Sequence, residues 1–245
     1  MKQRIFSIIA IFFVLSNSLC AQSTKDTASC STKAAIKPFI VPAVLIGAGL
    51  ALTGQKIKDD QLSFRAKNFN DFNNRADDLL QFASYVPVFG LDLVGVHGRN
   101  SFQDKVGIVA LGGIFMMGTV YGLKTVTKVE RPDNSKDDSF PSGHTANAFF
   151  GATVLAKEYG NQSVWYPIAG YTFATATGAL RMLNNRHWVS DVLVGAGFGI
   201  ASAELAYLVY PRLKTVFCKK TTQTSMMLVP QYNGKTTGIA FSMHF

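Results

Sequence analysis

The sequence predicts an all-α, membrane-associated bundle of about five to six core helices, ending in a short β-hairpin. Three observations carry this expectation. Only 16% of the 245 residues are charged and the mean hydropathy is +0.17, a balance that leans towards a membrane protein. Apolar runs of helix length recur from residue 38 to residue 210. Beyond Tyr210 the pattern changes to two strand-like runs on either side of Asn233-Gly234, a type I′ turn signal.

Each element follows in order. The opening MKQRIFSIIAIFFVLSNSLCAQS places Lys2 and Arg4 before an apolar stretch from Ile5 to Leu15 and then small and polar residues. This is the layout of a secretory signal peptide over residues 1–21, with an uncleaved anchor as the alternative. Residues 22–35 are rich in Ser and Thr and read as a flexible lead-in. Residues 38–54 are apolar enough, and nearly long enough, to cross a bilayer. The polar stretch 55–78 has room for an amphipathic surface helix. Residues 79–96 are interrupted by Gln81, Pro87 and Asp92, and read as a span, an in-plane segment or a buried helix. Four clearer helices cover 106–123, 145–156, 163–180 and 192–210. Small residues at four-residue spacing, Gly118 and Gly122, Gly170, Ala174 and Gly178, then Gly195 and Gly199, suit close helix approach. The helical domain is thus expected over 36–211, with a basic tail and hairpin over 212–245. In the second run of that hairpin Ile239, Phe241, Met243 and Phe245 alternate with smaller or polar residues.

The formal net charge of +9 fits nucleic acid, anionic lipid or an anionic substrate, and export argues against nucleic acid. No CxxC or Cys/His array makes a case for structural zinc, and neither a metal nor a cofactor is expected. With the signal removed, Cys30 and Cys218 remain, and an oxidising compartment would permit a bridge between them.

The chemistry lies in three clusters, each at an end of an apolar helix. In KTVTKVERP, Lys124 is followed after six residues by Arg131-Pro132. In SFPSGHTANAFF, Pro141-Ser142-Gly143-His144 stand at a helix entrance, where a Ser oxygen can cap free amides. A histidine is the odd residue there, because a helix N-terminus disfavours imidazolium unless an anion is also present. In RMLNNRHWVSD, Arg181 precedes His187 by five intervening residues, and Asp191 follows after three more. Residues four apart share a helix face, so a carboxylate at 191 can orient the imidazole at 187 and leave its other nitrogen free. Three cations and a helix N-terminus would surround a tetrahedral oxyanion with donors. Together the residue types describe metal-free phosphoryl transfer. Lys128, Lys136 and Arg186 fit no motif position and read as solvated or headgroup-facing charges; His97 and His244 belong to no constellation.

These spacings, Lys124-x6-Arg131-Pro132, Pro141-Ser142-Gly143-His144 and Arg181-x5-His187-x3-Asp191, resemble the three signature motifs of the type 2 phosphatidic acid phosphatase superfamily, which includes class A acid phosphatases and vanadium haloperoxidases. A given tetrapeptide arises about once in 10^5 positions when each residue type is taken at about 5%. The resemblance covers roughly Val106 to Tyr210. It implies that His187 attacks phosphorus, Asp191 orients it and His144 acts as general acid. It further implies that Lys124, Arg131 and Arg181 hold the phosphate oxygens, supported by the Ser142 hydroxyl and the Gly143 amide. Leu180 departs from the pattern, which usually carries Ser there.

The reading is a lipid phosphatase acting on lipid A phosphates, undecaprenyl pyrophosphate or a phospholipid phosphate, with membrane lipids as its other partners. A broad-specificity periplasmic acid phosphatase and a non-catalytic lipid-binding envelope protein are the alternatives. Arg212, Lys214, Lys219 and Lys220 after the last helix put that end in the cytoplasm and the catalytic loops in the periplasm. A cleaved signal with spans at both 38–54 and 79–96 would give the opposite orientation. The inner membrane is expected, with outer-membrane association as a second possibility raised by the terminal hairpin.

Overall fold

The computed structural model describes residues 36–217, 225–232 and 237–244. The predicted signal peptide and lead-in, both cysteines of the proposed bridge and the Asn233-Gly234 turn lie outside them. The chain forms two units, divided after Tyr207. The first holds a 3-10 turn, Lys37–Phe39, and then α1 (Ile40–Ala51), α2 (Gln55–Asn68), α3 (Ala76–Leu80), α4 (Tyr85–Leu93), α5 (Phe102–Thr127), α6 (Gly143–Tyr159), α7 (Trp165–Leu183) and most of α8 (Val189–Phe217). In the second unit the backbones of β1 (Ser225–Tyr232) and β2 (Thr237–His244) pair antiparallel, with Ser225 opposite His244 and Tyr232 opposite Thr237.

Local chemistry sets the long helices. Ser101 caps α5 by accepting from the Asp104 amide at 3.3 Å. The helix stops at Lys128, whose φ of 44° turns the chain left-handed while its amide still bonds the Lys124 carbonyl. Connections of 160–164 and 184–188 join α6 to α7 and α7 to α8, short enough to make them antiparallel neighbours. The alternation brings the end of α5, the start of α6, the end of α7 and the start of α8 to one end of the bundle. Hydrogen bonds tie these ends together: the Ser142 amide donates to the Asp191 carbonyl at 3.0 Å, and the Thr127 hydroxyl to the Phe140 carbonyl at 3.3 Å.

The main core packs Val88 of α4, Met116 and Val120 of α5, Phe150 and Val154 of α6 and Ala203 of α8. A second cluster, Leu123, Phe140, Val194 and Phe198, lies in the elements that carry the three motifs. Full burial of a side chain such as Phe150 or Leu123 contributes about 1.5–3 kcal/mol.

Among the described residues, two helices, Phe102–Thr127 and Val189–Thr215, are long and apolar enough to cross a membrane, and a third candidate is α1 with α2, bent by 88°. Of the four clearer helices expected from the sequence, only those at 106–123 and 192–210 fall in helices of this length and apolarity. Residues 145–156 and 163–180 form α6 and α7, neither of which meets the same test. Residues 79–96 break into α3 and α4, of five and nine residues, each too short to cross. The two long helices are apolar for different reasons. Of the most apolar window of α8, 78% is buried inside the protein, against 28% for α5. Over that window α8 is a core helix covered on most sides by protein, whereas α5 turns Ile114, Met117 and Tyr121 outward.

The small residues divide in the same way. A Cβ on Gly199 would meet the Ala146 carbonyl oxygen at 2.2 Å, and one on Gly195 the Ser142 carbonyl oxygen at 2.5 Å. These two glycines let α8 lie backbone to backbone against α6. Gly118 and Gly122, expected to serve the same purpose, have nothing within 4 Å of an added Cβ. Gly199→Ala is therefore expected to cost about 1–3 kcal/mol by overpacking, against less than about 0.5 kcal/mol for Gly118→Ala. Unfolding of the two variants in the same detergent measures the difference.

Candidate active site

The site is built outward from the first turn of α8. Asp191 sits there fully buried, where the helix dipole favours a carboxylate. Its Oδ2 accepts from the Trp188 amide at 2.9 Å and from the Ser139 hydroxyl, and its Oδ1 accepts from the Ser190 hydroxyl at 3.3 Å. The same Oδ2 lies 3.6 Å from His187 Nδ1, and the Ser139 hydroxyl lies 3.5 Å from that nitrogen. Nδ1 thus faces an acceptor set. The backbone around His187 is clamped from α2. Gln61 Nε2 donates to the His187 carbonyl at 3.0 Å, and its Oε1 accepts from the Val189 amide at 2.9 Å. Between them the Trp188 indole donates to the Glu130 carbonyl at 2.9 Å.

The cations come from the other helix ends. Arg181, in the last turn of α7 and 8% exposed, donates from Nη1 to Asp77 Oδ2 at 2.7 Å. Its buried Nε has no hydrogen-bond partner. Asp77 Oδ1 also accepts from Asn184 Nδ2 at 3.0 Å. Arg131 donates from Nε to Asp138 Oδ1 at 2.7 Å, and Lys124 donates to the backbone carbonyl of the same Asp138. Asp191, Arg181 and Lys124 all act electrostatically on His187.

His144, in the first turn of α6, is half-buried, with Nε2 3.1 Å from Asp78 Oδ1. A carboxylate from α3 thus stands beside this histidine at the helix entrance. Burial, followed by the charge of Arg181, lowers the His144 pKa below its ordinary value, and Asp78 opposes both. Asp77, Asp78 and His144 each offer a ligand atom within 4.8 Å of the others, but each already has an ion-pair partner.

One expectation is corrected. Ser142 precedes α6, but its hydroxyl caps no helix amide; fully buried, it pairs with the Thr145 hydroxyl at 2.9 Å. Arg186 is exposed and pairs with Asp133 at 2.9 Å. The residues missed in the sequence are Gln61, Asp77, Asp78, Asp138 and Ser139. Ser139 stands three residues before Ser142, and its small polar side chain gave no spacing signal.

Such an end-of-bundle cluster, with a buried imidazole beside a carboxylate and under the charge of cations, is the layout of an anion-handling helical protein. A family model of the PAP2 superfamily matches residues 106–215. It is 40% identical over 152 residues to a lipid A 1-phosphatase of Porphyromonas gingivalis, covering 62% of this chain and 34% of that one. It is 38% identical over 86 residues to a probable diacylglycerol pyrophosphate phosphatase of Schizosaccharomyces pombe, covering 31% and 30%. The chain spans about a third of the length of these curated relatives. Among solved structures, LpxE of Aquifex aeolicus is similar at 24% identity and a TM-score of 0.45, covering 60% of this chain and 94% of that one. A phosphatidylglycerolphosphate phosphatase of Bacillus subtilis is similar at 20% identity and a TM-score of 0.46, covering 73% and 98%.

Burial pushes the His187 imidazole down to about 4, although Asp191 pulls the other way. Between that value and the ordinary 6.5, the unfolded chain binds a proton that the folded chain refuses. Stability is therefore expected to fall as the pH drops from about 6.5 towards 4. His187→Asn should flatten that part of the curve, a difference seen in parallel thermal melts across the range.

Proposed function

We propose that the protein is a metal-independent lipid phosphatase that works through a phosphohistidine. The observation that carries this reading is the buried His187, held through Nδ1 by Asp191 and Ser139 and acted on by the charges of Lys124 and Arg181. With Nδ1 engaged, Nε2 is the nitrogen that attacks phosphorus. The phosphate oxygens are held by Lys124, Arg131 and Arg181, whose unpartnered Nε is a donor kept for them. The Gly143 amide adds a donor at the helix entrance, and Ser142 supports it from below through its hydrogen bond to Asp191. As the nitrogen–phosphorus bond forms, the bond to the lipid oxygen breaks and that oxygen takes a proton from His144. Water then attacks phosphorus and returns a proton to His144, and the electron pair of the nitrogen–phosphorus bond goes back to His187. Fixed donors aimed at the charge that develops on the oxygens supply most of the acceleration.

Membrane-grade helices and relatives named for lipid A and diacylglycerol pyrophosphate support a lipid substrate. We place the site in the cell envelope, facing the periplasm.

His187→Ala is expected to lower phosphate release from lipid A, undecaprenyl pyrophosphate or phosphatidic acid by at least about a thousandfold. Equal release by both proteins removes the nucleophile. Lipid binding without release by either supports a non-catalytic lipid-binding protein. Preference for soluble phosphomonoesters supports a broad acid phosphatase. In kcat/KM the acid limb should lie near pH 4, where His187 takes up a proton, and the alkaline limb below 6.5, where His144 loses one.

A further inference from the structure

The geometry points to Asp78 as a positioning residue for proton delivery: it holds His144 by Nε2 so that Nδ1 is the nitrogen facing the leaving oxygen. This rests on the phosphatase reading above and assigns a role within it to a residue outside the three motifs.

Three observations converge on it. His144 Nε2 lies 3.1 Å from Asp78 Oδ1. An ionised carboxylate only accepts, so that nitrogen carries a hydrogen committed to Asp78 in either charge state of the ring. Nδ1 alone is then left to give and regain the proton of the two chemical steps. Second, the setting of His144 otherwise disfavours an acid. It stands in the first turn of α6, where the dipole is positive, and it is half-buried and feels Arg181. The charged groups that act on it are Arg181 from α7 and Asp78 and Asp77 from α3. Asp77 is engaged by Arg181 and Asn184, so Asp78 is the carboxylate with an oxygen on the ring. Third, the division of labour follows from helix geometry. Adjacent residues on a helix diverge by about 100°. One α3 carboxylate therefore turns inward to the buried arginine, where it is 1% exposed, while the next reaches the half-buried imidazole at the rim.

Leaving groups of different acidity test it. A lipid alkoxide needs the proton, whereas an aryl phosphate such as p-nitrophenyl phosphate leaves without it. The full chain in detergent micelles, with Asp78→Asn and Asp78→Glu, is assayed on both across pH. Asp78→Asn is expected to lower kcat/KM, which reports the step in which the leaving group departs, about 10–100-fold on the lipid phosphate while changing kcat/KM on the aryl phosphate less than about threefold. Its alkaline limb should move to lower pH, and Asp78→Glu should restore both. Hydrolysis of the aryl ester reports that the variant is folded. An equal loss of kcat/KM on both substrates, or an unmoved alkaline limb, overturns the role of Asp78 and leaves the phosphatase reading intact. Wild type that releases phosphate from neither substrate overturns that reading, and this inference with it.

Discussion

A single buried carboxylate joins the parts of this site. Asp191 begins α8, receives the Trp188 amide and the Ser139 hydroxyl on one oxygen, faces His187 Nδ1, and through its backbone carbonyl takes the Ser142 amide. Two motifs separated by some forty residues thereby share one residue. A charge with no exposure is tolerable only when it is fully hydrogen-bonded, and removing one partner of such a group typically costs about 3–5 kcal/mol. The burial that demands partners for Asp191 also disfavours the charged form of His187.

Around this centre, every motif cation is held by an acceptor from outside the motifs: Arg181 by Asp77, Arg131 and Lys124 by Asp138. A cluster of unpartnered positive charges would repel itself, and its long side chains would have many rotamers to lose when a phosphate arrived. The acidic partners neutralise the repulsion and hold the donors in place, which is preorganisation of the kind that electrostatic catalysis needs. Arg181 shows the balance within one side chain, with Nη1 committed to Asp77 and Nε left over.

The bundle serves the same end. Gly195 and Gly199 bring α8 against α6, and a Cβ at 195 would strike the carbonyl of Ser142 itself. Helix packing therefore sets the position of the Ser142-Gly143 entrance relative to His187. Apolar content could not reveal this. It marked α5 and α8 alike as long apolar helices, because composition does not distinguish a residue covered by protein from one left uncovered by it, and the two helices differ mainly in how much of each the protein covers.

The identity of the motif residues, their order and their assignment to helix ends were all readable in the chain. Lys124, Arg131, Arg181, His187 and Asp191 announce themselves through fixed local spacing, and alternating helices bring their ends together. The partners that orient them were not readable, because their spacing in sequence carries no period. Gln61 meets His187 across 126 residues, Asp77 meets Arg181 across 104, and Asp78 meets His144 across 66. A local pattern can specify which groups lie on one face of a helix. Which distant carboxylate or amide turns to meet them is decided only when the helices pack, since that contact depends on the path of the whole backbone between.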